Sequence, residues 1–218
     1  MNKKASSKYD TEGMDEGEFE PGSHNRVLKN LLHLRSKKAS DEAEWRALES
    51  TQAIILDRYS KSHRFTSSDF RKIHKIWLGN IYKWAGSYRN VNLSKNGFPF
   101  AASNLIPNLM KKFEKNELKK FTPCNFKNEE DVIEAISIVH CEFIIIHPFR
   151  EGNGRIGRLL SGLMAMQADL PMLDYTYMTG KHRKNYISAI HTAVDKNYEP
   201  MKSVFRSIIQ KTLKKLSE

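Results

Sequence analysis

His147-Pro148-Phe149-Arg150-Glu151-Gly152-Asn153-Gly154-Arg155-Ile156-Gly157-Arg158 is the stretch on which the reading of this chain turns. It gathers an imidazole, a carboxylate, an asparagine between two glycines and a pair of arginines into one loop. The sequence on either side, Val132 to Ile146 and Leu159 to Met166, is apolar with helical periodicity. A polar loop therefore joins two buried helices, and the second starts near Gly152 to Gly154. A helix N-terminus presents unpaired N–H groups and the positive end of the macrodipole, which together hold phosphate. Glycine lets the backbone come close to a ligand. Arg155 and Arg158 lie one turn apart on the new helix and point to one side, with donors that match phosphate oxygens. Each part has a plainer use, as a cap, a turn or a solvated face. A plain turn, however, gains nothing from an acid, an asparagine and two arginines placed together. The expectation is a polyphosphate site.

Phosphate donors beside a carboxylate imply a nucleotide with a divalent cation. Glu151 is the only acid in the loop, and Mg2+ binds through one or two carboxylates together with phosphate oxygens and water. His147 can be neutral near pH 7, so it can take a proton from an attacking hydroxyl.

The same residues resemble the signature of the Fic family, His-x-Phe-x-(Asp/Glu)-Gly-Asn-Gly-Arg-x-x-Arg, at every defined position. Ile81-Tyr82-x-Trp84-Ala85-Gly86-x-x-Arg89 is similar to the segment that such proteins carry ahead of a β-hairpin flap. With the intervening helices, the resemblance spans residues 40 to 210. It implies a mainly α fold, the Fic (fido) helical bundle with one small β-hairpin flap. It also implies a protein adenylyltransferase that moves AMP from ATP to a Tyr, Thr or Ser hydroxyl of a target protein. In that scheme His147 is the catalytic base and Glu151 holds Mg2+. Gly152, Asn153 and Gly154 form the anion hole, Arg155 and Arg158 meet the outer phosphates, and Phe149 is a buried anchor. Pro148 and Arg150 occupy variable positions. Asn185 and Tyr186 flank the adenine, and Lys95, Gly97 and Phe98 in the flap dock the target by strand addition.

The Doc branch of this superfamily has Lys where this chain has Gly154 and transfers the γ-phosphate, so Gly154 favours nucleotidyl transfer. The alternatives are a Doc-like phosphotransferase, a transferase using UTP or GTP, and a non-catalytic Fic-fold binding module. Many Fic proteins also carry an inhibitory helix, (Ser/Thr)-x-x-x-Glu-(Gly/Asn), whose Glu pairs with the second motif Arg. Here only Ser40-x-x-x-Glu44 meets the first part, and Trp45 departs from it. The resemblance therefore points to a toxin restrained by a separate small antitoxin protein.

The rest of the composition fits that expectation. A chain of 218 residues suits one domain of ordinary size. There is no apolar run of about 18 residues, hence no expected membrane span, and Met1 to Asp10 lacks the apolar core of a signal peptide. Cys124 and Cys141 form neither a disulfide framework nor a metal pattern, which points to a reduced, cytoplasmic setting. The net charge of +11 comes without a recognition helix, zinc-finger spacing or an aromatic RNA-binding motif. Lys111 to Lys120 and Lys211 to Lys215 read as solvated helix faces, so nucleic acid is not an expected partner.

Along the chain, residues 1–38 read as an N-terminal arm, partly disordered, and residues 39–218 as the catalytic domain. Val27, Leu28, Leu31, Leu32 and Leu34 would pin the arm. Ser40 is the expected cap of a helix that partly buries Trp45, Leu48, Ala53, Ile55 and Leu56. Thr66 and Asp69 form a capping box with Phe65 and Phe70 as its staple. Phe70, Ile73, His74, Trp77, Leu78 and Ile81 trace the inner face of that helix, with His74 as a core residue. Tyr88 to Phe100 is a hairpin around Lys95-Asn96-Gly97. Four more helices are expected besides the motif helix: Leu105–Leu118 with Leu105, Leu109, Met110 and Phe113 inward, one after Asn128 to Ile146, Lys181–Asp195 and Pro200–Leu216.

Overall fold

The structure, a computed structural model, describes residues 16–217. Its helices are α1 (Lys37–Arg58), α2 (Ser67–Leu78), α3 (Ile106–Phe113), α4 (Lys119–Phe121), α5 (Glu129–Ile146), α6 (Asn153–Gln167), α7 (Gly180–Thr192) and α8 (Glu199–Ser217). Two short strands, β1 (Ser94–Lys95) and β2 (Phe98–Pro99), stand between α2 and α3. Among the described residues the fold is the expected mainly helical one with a single small hairpin.

Helix α5 is the centre. Asn128 caps it by accepting from the Glu130 N–H, and three acids fill its first turn, where they complement the macrodipole. Its residues are apolar nearly all round, from Val132 to Ile146, which fits a helix enclosed on every side. It packs against α6, α8, α3 and α7. Helix α2 is amphipathic, and its expected capping box is present in full: Thr66 Oγ1 accepts from Asp69 N, and the Asp69 carboxylate accepts from Thr66 N. The hairpin register pairs Ser94 with Pro99 and Lys95 with Phe98. Asn96 (φ 52°) and Gly97 (φ 82°) turn it, as tight antiparallel loops require.

Several expectations need correction. Helix α1 begins four residues earlier than expected, because Ser36, not Ser40, is its cap, accepting from Ala39 N. Ser40 lies inside the helix, buried, with its hydroxyl 3.3 Å from that of Tyr82. Trp45 and Leu56 are exposed at 58% and 42%, and Ala53 is exposed as well, so Leu48 and Ile55 carry the inner face without them. The helix expected from Leu105 to Leu118 is a composite of a 3-10 turn, α3 and a π-turn over Glu114–Leu118 that runs on into α4. This displaces Leu105 outward, and Ile106 fills its place in the core.

Residues 16–36 lie back over the body. Val27 is buried, but Leu31 and Leu32 are exposed, and polar bonds do much of the fastening. The Glu20 carboxylate accepts from Asn30 N, and Leu31 N donates to Ile81 O. The part of the expected arm in residues 1–15 lies outside the described residues. Among the described residues, no helix is long and apolar enough to cross a membrane.

Candidate active site

Helix α5 ends by delivering His147 in the left-handed conformation, φ 52° and ψ 58°, a strained geometry for a residue with a side chain. The imidazole Nδ1 lies 3.1 Å from Ile144 O. A carbonyl can only accept, so Nδ1 carries the proton and Nε2 keeps its lone pair. Burial lowers the His147 pKa to about 4, against the opposing Ile144 bond. The Phe100 ring stacks on the imidazole, centroids 3.6 Å apart and planes 12° from parallel. Phe100 is itself fixed by its N–H to Leu93 O.

The loop after His147 is held from within. Asn153 is buried, accepting from Phe149 N at 2.8 Å and donating to Phe149 O at 2.7 Å. Its side chain therefore clasps the loop, and only its backbone is left for the expected anion hole. Phe149, fully buried, stacks on His74 at 4.1 Å. His74 accepts from Gly86 N on Nδ1 and so donates from Nε2 to Glu151 O. Burial pushes its pKa down to about 4. His74 is a core residue as expected, yet it also sets the height of the loop. Gly152 has φ +86°, and a Cβ there would lie 2.5 Å from the Trp77 ring, so only glycine fits.

Arg89, 1% exposed, donates to the carbonyls of His147 (2.8 Å), Val91 (2.5 Å) and Ala101 (2.5 Å). One guanidinium thus joins both roots of the hairpin to the motif. Arg150, assigned no role from sequence, is buried and donates to Glu16 O at 2.7 Å.

Helix α6 starts at Asn153 with no side-chain cap, and its first turn opens toward the cavity. The two motif arginines behave differently. Arg155 meets the buried Glu44 carboxylate at 2.7 Å and Glu151 at 3.3 Å, and lies over the Trp77 ring. Glu44 also accepts the Tyr82 hydroxyl at 2.6 Å, while its carbonyl accepts from Trp77 Nε1. Arg158 stands over Tyr175, and among the described residues no carboxylate pairs with it. Glu44 therefore sits on the first motif arginine, not the second.

These groups surround a cavity of about 940 Å³. The structure brings together there His147, Glu151, Gly152, Asn153, Gly154, Arg155, Arg158 and Tyr186, with Lys95 and Phe98 from the flap. Gly97 is at the turn and does not line it, and Asn185 faces a separate groove between α7 and α8, with Ser203 and Ser207. Sequence reasoning missed three residues of α1: Trp45 and Leu48, read only as core, and Gln52, assigned no role. It also missed Arg183 and His191; Phe98 stacks on His191 at 4.5 Å.

Glu151 is the candidate cation ligand. Burial in the cavity raises its pKa, but the Gly152 N–H bond and the charge of Arg155 outweigh this and leave it below the usual carboxylate value. Among the described residues, no cluster of three or more His, Cys, Asp or Glu could hold a metal on its own. A single ionised carboxylate completed by ligand oxygens and water suits Mg2+, which keeps several waters and takes phosphate oxygens readily.

Residues 64–165 match the Fic/DOC family. Protein adenylyltransferase VbhT of Bartonella schoenbuchensis is 30% identical over 65% of this chain and 29% of its own length. A probable protein adenylyltransferase of Aquifex aeolicus is 28% identical over 77% of this chain and 46% of its own. The chain spans less than half the length of these curated relatives. Among solved structures, the N-terminal Fic domain of a Bartonella effector protein superposes with a TM-score of 0.72 at 24% identity, covering 87% of this chain and 89% of that one. The BepC protein of Bartonella tribocorum, solved with bound AMPPNP, superposes with a TM-score of 0.66 at 21% identity, over 83% of this chain and 91% of that one.

Proposed function

We propose that this chain, whose residues 64–165 match the Fic/DOC family, is a protein adenylyltransferase, moving AMP from Mg-ATP to a hydroxyl side chain of a target protein. The observation that carries this reading is the bare Nε2 of His147 in the same cavity as the uncapped start of α6 and Arg158. The Tyr, Thr or Ser hydroxyl of the target loses its proton to His147 Nε2. Its oxygen bonds to the α-phosphorus, the bond from that phosphorus to the bridging oxygen breaks, and pyrophosphate leaves. The α6 N-terminus and Arg158 stabilise the phosphate charge. Mg2+, held by Glu151, would neutralise the phosphates. Lys95 and Phe98 flank the entrance on the flap side, where a target segment would lie.

Gly154 supports AMP transfer over phosphorylation. Its nearest neighbour, were a Cβ present, is Arg158 Nη1 at ordinary contact distance, so a larger residue would fit. Glycine here leaves room for the ligand and is not forced by the backbone. A separate antitoxin is part of the same reading, because Glu44 engages Arg155 and leaves Arg158 to a carboxylate from outside. The setting we assign is the cytoplasm of a bacterium.

Paired labelling tests the activity. A bacterial lysate is incubated with the protein and ATP labelled on the α- or the γ-phosphate, beside His147→Ala. A band from the α-label alone, lost in the variant, supports AMP transfer. A γ-label band would make the protein a phosphotransferase. No band with either label, in a preparation that still binds ATP, would favour the binding-module alternative.

A further inference from the structure

Residues 16–31 form a strap that grips both ends of the segment leading from α2 to the hairpin. The strap first closes on itself: Phe19 pairs with Leu28, Lys29 N donates to Glu18 O, and Glu20 N donates to Val27 O. One end then meets segment 81–90 where Leu31 N donates to Ile81 O at 2.8 Å. The other end meets it at Glu16, whose carboxylate accepts from Asn90 N at 2.6 Å. Asn90 is the residue before Val91, where the chain rises into the flap. The backbone of Glu16 has a second partner, since its carbonyl accepts from Arg150 Nε of the motif loop at 2.7 Å. One residue thus holds the flap root by its side chain and the motif by its main chain.

Charge adds to the tether. Glu16, Arg89 and Arg150 are all buried. Burial lowers the Arg89 pKa to about 10, with Glu16 opposing this and Arg150 adding to it. Two buried guanidinium groups that repel each other need a carboxylate between them, and Glu16 supplies it. Burial raises the pKa of Glu16 in turn, against the Asn90 bond and the charges of Arg150 and Arg89. Within the hairpin, Phe100 N bonds to Leu93 O and Ser103 N to Asn92 Oδ1, which shape the flap without orienting it. Orientation comes from its root, where Arg89 and Glu16 act from outside. We propose that Glu16 is a positioning residue for the transfer reaction, holding the flap at a fixed angle to His147 through Asn90. This role rests on the reading of the cavity as an adenylyl-transfer site with the target on the flap side. Glu16 touches neither the nucleotide nor the target, so it acts on how well the target is seated.

The test uses the full chain with Glu16→Ala and Glu16→Gln. Transfer of the α-label is followed over a dilution series of one bacterial lysate, which gives an apparent KM for the labelled band. In Glu16→Ala that KM is expected to rise about tenfold, the worth of a bond to a charged acceptor. The maximal rate, and the ATP affinity read by calorimetry, should stay within about twofold. Glu16→Gln keeps an acceptor for Asn90 N–H and is expected to recover most of the loss. A fall in ATP affinity as large as the rise in KM would overturn the proposal, since that is what a damaged fold produces. A Gln variant no better than the Ala variant would overturn it too, by removing the Asn90 bond from the effect. Amide hydrogen exchange supplies a readout independent of any ligand. In Glu16→Ala the Asn90 and Phe100 amides should exchange about tenfold faster, while Phe149 N, held by Asn153, keeps its protection. Unchanged exchange at Asn90, or equal loss at all three, refutes the role. A wild-type protein that neither labels a band nor binds ATP would be the failure of the adenylyl-transfer reading, and the exchange measurement would still decide whether Glu16 holds the flap.

Discussion

The two walls of the cavity are built by different means. On the phosphate side, buried polar bonds hold the loop: Asn153 on Phe149, His74 between Gly86 and Glu151, Glu44 on Arg155, and Arg89 on four carbonyls. On the target side, two strands of two residues each rest on ring contacts, Phe98 on His191 and Phe100 on His147. Polar bonds in a dry interior tolerate little displacement, whereas ring contacts at a half-open surface let a segment shift and repack. The reacting groups are therefore preorganised, and the surface that meets a partner is left adaptable. Arg89 is where the two regimes join, since it grips both the motif and the hairpin roots.

Acid should separate the walls first and most strongly. His74, His140 and His147 are held neutral, with pKa values near 4, 3 and 4. In the unfolded chain each titrates near about 6.5, so between these values the unfolded state binds more protons. Stability is therefore complete above about pH 6.5 and is lost as pH falls toward the folded values. By pH 5 the expected loss is on the order of 5 kcal/mol for the three together. Urea titrations at pH 7.5 and pH 5 measure it. Equal stability at both values would mean that the buried imidazoles are hydrated or already charged. Next in size is His147→Ala, expected to lower α-label transfer about a thousandfold while ATP affinity stays within about twofold. A small loss would remove His147 from the role of base.

What the sequence disclosed, and what it hid, divides along a similar line. The capping box at Thr66, the Asn96-Gly97 turn and the motif loop between two apolar helices are local patterns, and all were legible. The start of the central helix after Asn128 was legible for the same reason. Glu44 on Arg155, Glu16 on Arg150 and the several bonds of Arg89 join residues far apart in the chain. No periodicity encodes such pairs, and nothing in the spacing of these residues tells which of them meet. Trp45 misled in the other direction. It was placed inward for its size and aromatic character, and it stands exposed on the cavity rim.

Glu44 carries the next prediction, because it ties α1 to the phosphate wall through Arg155. Glu44→Ala leaves the Arg155 guanidinium and the Tyr82 hydroxyl without their shared acceptor. Breaking a buried pair from one side costs about 3 kcal/mol, so both stability and α-label transfer should fall. A rise in transfer would invert the conclusion. Glu44 would then restrain the enzyme from within, and the separate antitoxin would be unnecessary.

The smallest effect is expected at the flap, and it is the sharpest test of the contrast. Phe98 is only half-buried, and its main partner, His191, is exposed. Phe98→Ala removes one ring contact worth about 1 kcal/mol, so the unfolding midpoint should barely move. ATP affinity should be unchanged, because no phosphate or base contact is lost. Transfer to a protein target should nevertheless drop about tenfold, through KM and not kcat, if the ring helps to seat the target segment. Comparing the variant's label on a protein target with its ATP affinity separates the two walls. Loss of both would show that the flap also helps to align the nucleotide, and that the target side is less independent of the phosphate side than its construction implies.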